Sequence, residues 1–307
     1  MEALQSFLMA AHANKPIQCQ WTTQSEALRH FASYAGRTQS QRHIKPLHWY
    51  VACRLVVEGG FRPSEIQPRP PFDIEKTGSR KFKLVSGVAG GSEATILGGL
   101  KTKSVDVVVS KPGIGPVMAV SCKGITGAFR NLTNRMEEMI GECTNLHITY
   151  PALVLGYFFL VRGNPETVQG AHLAQELGPN DIAFSAGGTP NPSIARYHAA
   201  LSKISGRRGI RDEVSAYEAA TLVVVDPTED SSGEIIPTTF PDSESELGIE
   251  EFFQTLYQRY DERFVYAAPE LSPVTRRLMW SSVPEAVGSG ESEPGYRERL
   301  DHVPPHE

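Results

Sequence analysis

The chain has 307 residues, 40% of them hydrophobic and 21% charged, with a formal net charge of −5. These proportions call for one or two packed domains and exclude a low-complexity chain. No apolar run approaches the roughly 18 residues of a membrane span, and a secretory signal is not expected at MEALQSFLMAAHANK, which begins acidic.

In chain order, Leu4, Phe7, Leu8 and Ala11 fall at helical spacing. A stronger helix is predicted over 43–58 (HIKPLHWYVACRLVVE), with Pro46 in its first turn, one face formed by Leu47, Tyr50, Val51, Arg54, Leu55 and Glu58, and Gly59-Gly60 as its stop. Residues 61–72 are proline-rich and extended, 81–87 read as a strand, and the glycine-rich 87–99 reads as a loop or hairpin that fits neither a P-loop nor a dinucleotide fingerprint. Strands are predicted at 104–110 and 117–123, close enough in sequence to form a hairpin, followed by an amphipathic helix at 128–146 and an apolar strand at 152–161. The apolar stripe of that helix is read as Phe129, Leu132, Met136, Ile140 and Cys143.

Further on, a helix is predicted near 191–205, a strand at 221–225 and a helix at 249–264, with the acidic stretch 226–251 as a solvated loop. Residues after about 281 are rich in Gly, Ser, Glu and Pro and are expected to lack fixed structure. The expected architecture is an α/β (α+β) fold, a mixed central sheet flanked by helices. It is read as one domain over 1–280, with a helical N-terminal part at 1–60, a core at about 81–162 and an acidic second half at 164–280.

Charge is unevenly shared. Residues 1–163 carry 19 Lys+Arg against 11 Asp+Glu, and residues 164–307 carry 11 against 24. A basic half suits a polyanion partner. Cys19, Cys53, Cys122 and Cys143 show no CxxC spacing, which fits a reducing cytoplasm better than a disulfide framework or a zinc site.

Residues 101–142 carry the chemistry. Asp106 interrupts a β-branched run, and burying a carboxylate there is costly unless a cation or metal meets it. Ser121 and Lys123 are two apart and share a strand face, while Cys122 points the other way and offers its backbone carbonyl. Glu137 follows on the helix, beside its apolar stripe. Phosphodiester cleavage needs a metal that offsets phosphate charge and activates water, and magnesium takes carboxylates from separate elements. Arg130, Asn134 and Arg135 on the helix, with Lys101 and Lys103 on the approach to Asp106, are candidates for contact with nucleic acid; a solvated face with Arg135 paired to Glu138 or Glu142 is the plainer reading. His43, His48 and His147 have no ligand spacing and read as structural.

This segment resembles the PD-(D/E)xK nuclease superfamily. Within it, the S-x-K…E arrangement of Ser121, Lys123 and Glu137, with thirteen residues between the last two, resembles the NgoMIV-like branch of type II restriction endonucleases. Val105 stands where most members have proline. The resemblance implies a restriction-endonuclease-like fold and a Mg²⁺-dependent endonuclease acting on DNA, with Mn²⁺ able to substitute. It further implies Asp106 and Glu137 as metal ligands, Lys123 orienting the attacking water, Ser121 behind them and Glu58 as an outer carboxylate. A homodimer would match two cuts in a duplex by symmetry. The alternatives are a nuclease-like module that grips nucleic acid without cutting, and a regulatory protein acting through its acidic half.

Overall fold

A computed structural model describes residues 19–36, 38, 41–166, 177–228, 233–235, 240–242, 244–288 and 296–301. The helical spacing read at Leu4 to Ala11 lies outside them.

Two helices open the described chain. In α1 (Gln24–Ser33) Thr23 and Glu26 form a reciprocal cap, the Thr23 hydroxyl accepting from the Glu26 N–H and the Glu26 carboxylate from the Thr23 N–H. In α2 (Lys45–Val57) every residue from Leu47 onward is buried, because this helix lies between α1 and the sheet. Gly60, at φ +70°, lets the chain turn away after it.

Then come β1 (Ile66–Gln67), β2 (Phe72–Lys76), β3 (Phe82–Ser86), β4 (Ala94–Ile96), β5 (Lys103–Val105), β6 (Val107–Lys111) and β7 (Gly115–Ile125). They are followed by α3 (Leu132–Thr149), β8 (Val154–Arg162), α4 (Pro192–Lys203), β9 (Ala219–Val225), α5 (Ile249–Asp261) and β10 (Trp280–Ser282). The main sheet has the order β1-β6-β7-β8-β9. β6 and β7 form an antiparallel hairpin, with β1 antiparallel on its outer side. β7, β8 and β9 run parallel, with Ser121 opposite Tyr157 and Lys123 opposite Phe159. Parallel neighbours need crossovers, which α3 and α4 supply. A mixed central sheet flanked by helices is therefore the architecture.

One face of the sheet packs Val107, Val109, Val120, Cys122, Phe158 and Leu160 against α1, α2 and α5. The other packs Ala119, Tyr157, Phe159, Val161 and Leu222 against α3 and α4. With both faces covered, β8 is an unbroken apolar run. No helix among the described residues is long and apolar enough to cross a membrane.

Three expectations change. The strand read at 104–110 is two strands: β5 pairs with β4, β6 pairs with β7, and Asp106 is the break between them. The apolar stripe of α3 runs through Leu132, Met139, Cys143 and Leu146, while Ile140 is 41% exposed. The C-terminal tail has fixed structure where it is described. β10 pairs with β3, Tyr296 stacks on Trp21 at 4.8 Å between ring centroids, and Leu300 bridges to Trp280. Aromatic burial at Trp280 and Tyr296 outweighs the polar composition around them; residues 289–295 and 302–307 lie outside the described chain.

Candidate metal centre at the sheet edge

Asp106 sits where the chain leaves β5 and enters β6. β1 spans only two residues and covers Val108 and Val109, so it does not reach the Asp106 end of β6. Asp106 is 1% exposed, and its Oδ2 gathers three donors: the Cys122 N–H at 2.8 Å, Lys123 Nζ at 2.7 Å and the Ser121 hydroxyl at 3.4 Å. The carboxylate thus takes the place of a ladder acceptor for β7, which is why the strand breaks there. Burial by itself would raise the Asp106 carboxyl. The Lys123 charge, His48, the Lys123 hydrogen bond and the Cys122 N–H together bring it below the ordinary carboxylate range. Lys123 is likewise pushed down by burial but pulled higher by Asp106 and Glu142, so it is an ammonium.

The second oxygen of Asp106 faces a residue from the opposite layer. His48 Nε2 lies 3.6 Å from Asp106 Oδ1, and His48 Nδ1 lies 4.0 Å from Glu93 Oε1. Neither ring nitrogen has a hydrogen-bond partner among the described residues, although the side chain is 1% exposed. Burial, with Lys45 and Lys123 adding to it against the pull of Asp106 and Glu93, drives the imidazole down to about 4. At neutral pH His48 is uncharged and holds a lone pair. Glu93 is paired to Lys45, one turn before His48 on α2. One ligand atom each from His48, Glu93 and Asp106 lie within 4.8 Å of one another. Two ligands on one small divalent ion are about 3–4 Å apart, so the 3.6 Å separation of His48 and Asp106 suits a shared ion. An orphaned buried imidazole between two carboxylates also fits a cation chemically.

Cys122 keeps a place beside this group. The N–H and C=O of a strand residue point to the same edge, so its carbonyl faces the side on which Asp106 takes its N–H.

Glu137 and Glu58 are not brought to Asp106. Glu137 is exposed on α3. The buried carboxylate of that helix is Glu142, about 140° around the axis from Glu137 at 3.6 residues per turn. Glu142 bonds Lys103 Nζ at 2.6 Å, acts on the charge of Lys123, and has its other oxygen, Oε1, buried without a hydrogen-bond partner among the described residues. Glu58 lies at the far end of α2 from His48, where it takes Arg54 Nε at 2.8 Å, Gln254 Nε2 at 2.9 Å and the Arg297 N–H at 3.2 Å. It is a buried structural carboxylate.

Of the residues expected to meet nucleic acid, Arg130 and Asn134 are exposed and Arg135 pairs with Glu138. Lys101 is exposed with its backbone held by Asn145, and Lys103 is engaged by Glu142. His147 is a core residue, bonded to the Val214 carbonyl at 3.0 Å. His43 reaches the Gly124 carbonyl at 3.4 Å.

Sequence reasoning missed His48, Glu93 and Glu142. Glu93 carried a signal, being the only carboxylate between Glu75 and Asp106. Glu142 follows from moving the α3 stripe onto Met139. His48 gave none, since its partners are 45 and 58 residues away.

No family model, curated protein or solved structure matches the chain.

Proposed function

We propose that the protein is a divalent-metal-dependent phosphodiesterase that cuts DNA, on a restriction-endonuclease-like core. One observation carries the reading. A buried carboxylate, Asp106, is shared by a lysine ammonium and a strand N–H on one oxygen, and on the other faces an uncharged imidazole, without a hydrogen-bond partner among the described residues, beside a second carboxylate. Asp106, His48 and Glu93 would hold the ion, with the Cys122 carbonyl as a further oxygen donor. The bound ion would supply Lewis acidity toward a phosphate oxygen and a more acidic water.

The chain's own residues do the rest. Lys123, a fixed cation, offsets charge building on the phosphate and orients the attacking water through its N–H groups. Asp106 fixes Lys123 in place, and Ser121 and the Cys122 N–H fix Asp106. Lys45 offsets the charge of Glu93. Glu142 holds Lys103 and, after Asp106, helps keep Lys123 charged.

Mg²⁺ remains the expected ion by abundance and oxygen preference. A nitrogen among the ligands raises the affinity for Mn²⁺ relative to Mg²⁺. The basic first half suits DNA, and a homodimer would place two such centres on the two strands.

The test is incubation of purified protein with supercoiled plasmid, and with single-stranded circular DNA, in Mg²⁺ or Mn²⁺. Cleavage by the wild type that disappears in both Asp106→Asn and Lys123→Ala supports the reading. Cleavage that survives in both variants refutes it, as does none by the wild type with either ion. One feature favours the second reading, a module that binds without cutting: both lysines already close on the carboxylates. It predicts salt-sensitive DNA binding with no cleavage.

A further inference from the structure

A half-open cavity of about 430 Å³ adjoins the metal centre and is lined chiefly by Trp21, His30, Tyr34, Arg42, Lys45 and Trp49. Its volume is that of a pocket for one small organic group. Lys45 joins the two sites, because it lines the cavity and its ammonium closes on Glu93. Trp49 follows Lys45 by one turn of α2, and His48 lies between them in sequence, turned toward Asp106. One helix therefore offers its aromatic and basic side to the cavity and its imidazole to the centre.

The lining has the chemistry of a base-stacking platform. Trp21 is half-buried, and its ring is steadied by stacking on Tyr296 at 4.8 Å and by an edge contact with Phe72 at 5.7 Å. Tyr34 is half-buried and His30 exposed, with their rings 5.7 Å apart. Among the described residues of the lining the one carboxylate is Glu26, held at the start of α1 by the Thr22 hydroxyl and by the Thr23 hydroxyl and N–H, against the two cations Arg42 and Lys45. Flat π-faces beside cations bind an unstacked base with its phosphate, whereas a paired base inside a duplex presents only its edges.

We propose that this cavity takes one unstacked nucleobase of the nucleic-acid substrate, next to the phosphate at the metal centre, so that the protein prefers single-stranded or locally opened strands. The proposal rests on the phosphodiesterase reading and gives its substrate class. Lys45 then serves as the link, placing the phosphate that follows the captured base toward Glu93 and Asp106.

The test separates binding from cutting. The Asp106→Asn protein, without metal, is titrated with a ten-nucleotide strand carrying one 2-aminopurine, alone and annealed to its complement. The expected result is quenching of the 2-aminopurine by stacking, and single-strand binding about tenfold tighter than duplex binding. Trp21→Leu and, because Trp21 also packs on Tyr296, the exposed Arg42→Ala should each weaken single-strand binding about tenfold, with Trp21→Phe restoring it. Equal affinity for single strand and duplex, unchanged by Trp21→Leu and Arg42→Ala, overturns the pocket and leaves the phosphodiesterase reading standing. Quenching and selectivity in a protein that never cleaves would support the pocket while refuting catalysis.

Discussion

At the residue scale the centre turns on two buried groups, Asp106 and His48. Asp106 keeps its charge in a 1%-exposed site through Lys123 at 2.7 Å. Removing one partner of a buried ion pair strands the other. Lys123→Ala should therefore lower stability by about 3 kcal/mol in urea denaturation, and Mn²⁺ should restore more stability to this variant than to the wild type, because the ion replaces the missing cation. An equal response of both proteins to Mn²⁺ would count against a site at Asp106. His48 makes a separate demand. Its lone pair is available at neutral pH because burial pushes the ring down to about 4. His48→Ala should weaken Mn²⁺ about tenfold by calorimetry and Mg²⁺ far less, since only the softer ion gains from imidazole. A parallel loss for both ions would mean that the imidazole contributes by packing alone.

At the element scale, strand and helix periodicity reveals the layers but misplaces details that depend on phase. The hairpin β6–β7, the crossover α3 and the buried β8 are legible because alternation and apolar runs report burial directly. The break at Asp106 is not, because a β-branched run from Val105 to Val109 reads as one strand whether or not the pairing partner changes in the middle. In α3 a stripe through Ile140 rather than Met139 rotates the inferred face and selects Glu137, which also satisfies the S-x-K…E spacing. The helix instead buries Glu142, whose Oε2 takes Lys103 and whose Oε1 has no hydrogen-bond partner among the described residues. The two glutamates should then separate cleanly. Glu137→Ala should change cleavage by less than about twofold, as expected for an exposed helix position. Glu142→Gln removes the negative charge that helps keep Lys123 an ammonium and holds Lys103, and should lower plasmid cleavage about tenfold or more. The reverse ranking would restore the role that the spacing pattern gives Glu137.

At the scale of the whole molecule, the two halves of the chain are joined by a buried charge cluster that composition conceals. The acidic second half suggests a solvated surface, yet Glu218, at the start of β9, is fully buried. It receives Arg207 Nη1 at 2.7 Å, Arg263 Nη1 at 2.8 Å, the Leu155 N–H at 2.7 Å and the ring of His147 at 3.4 Å. These partners come from α3, from β8 and from the segments after α4 and α5, so one carboxylate ties both covering layers to the parallel strands. Burial alone would raise its carboxyl; His147, Arg263 and the Leu155 N–H together lower it below the usual glutamate value of 4.5. A lowered carboxyl contributes stability that is present above pH 4.5 and is lost as the pH falls through the folded-state value. Glu218→Gln leaves Arg207 and Arg263 facing a neutral group in a dry site, and should cost about 3 kcal/mol at pH 7. Below pH 4.5 the stability gap between this variant and the wild type should narrow, because the wild type then loses the same charge by protonation. Denaturation curves at pH 7, 5 and 3.5 decide the matter: a gap that stays constant with pH would show that Glu218 acts through shape and hydrogen bonding and not through its charge.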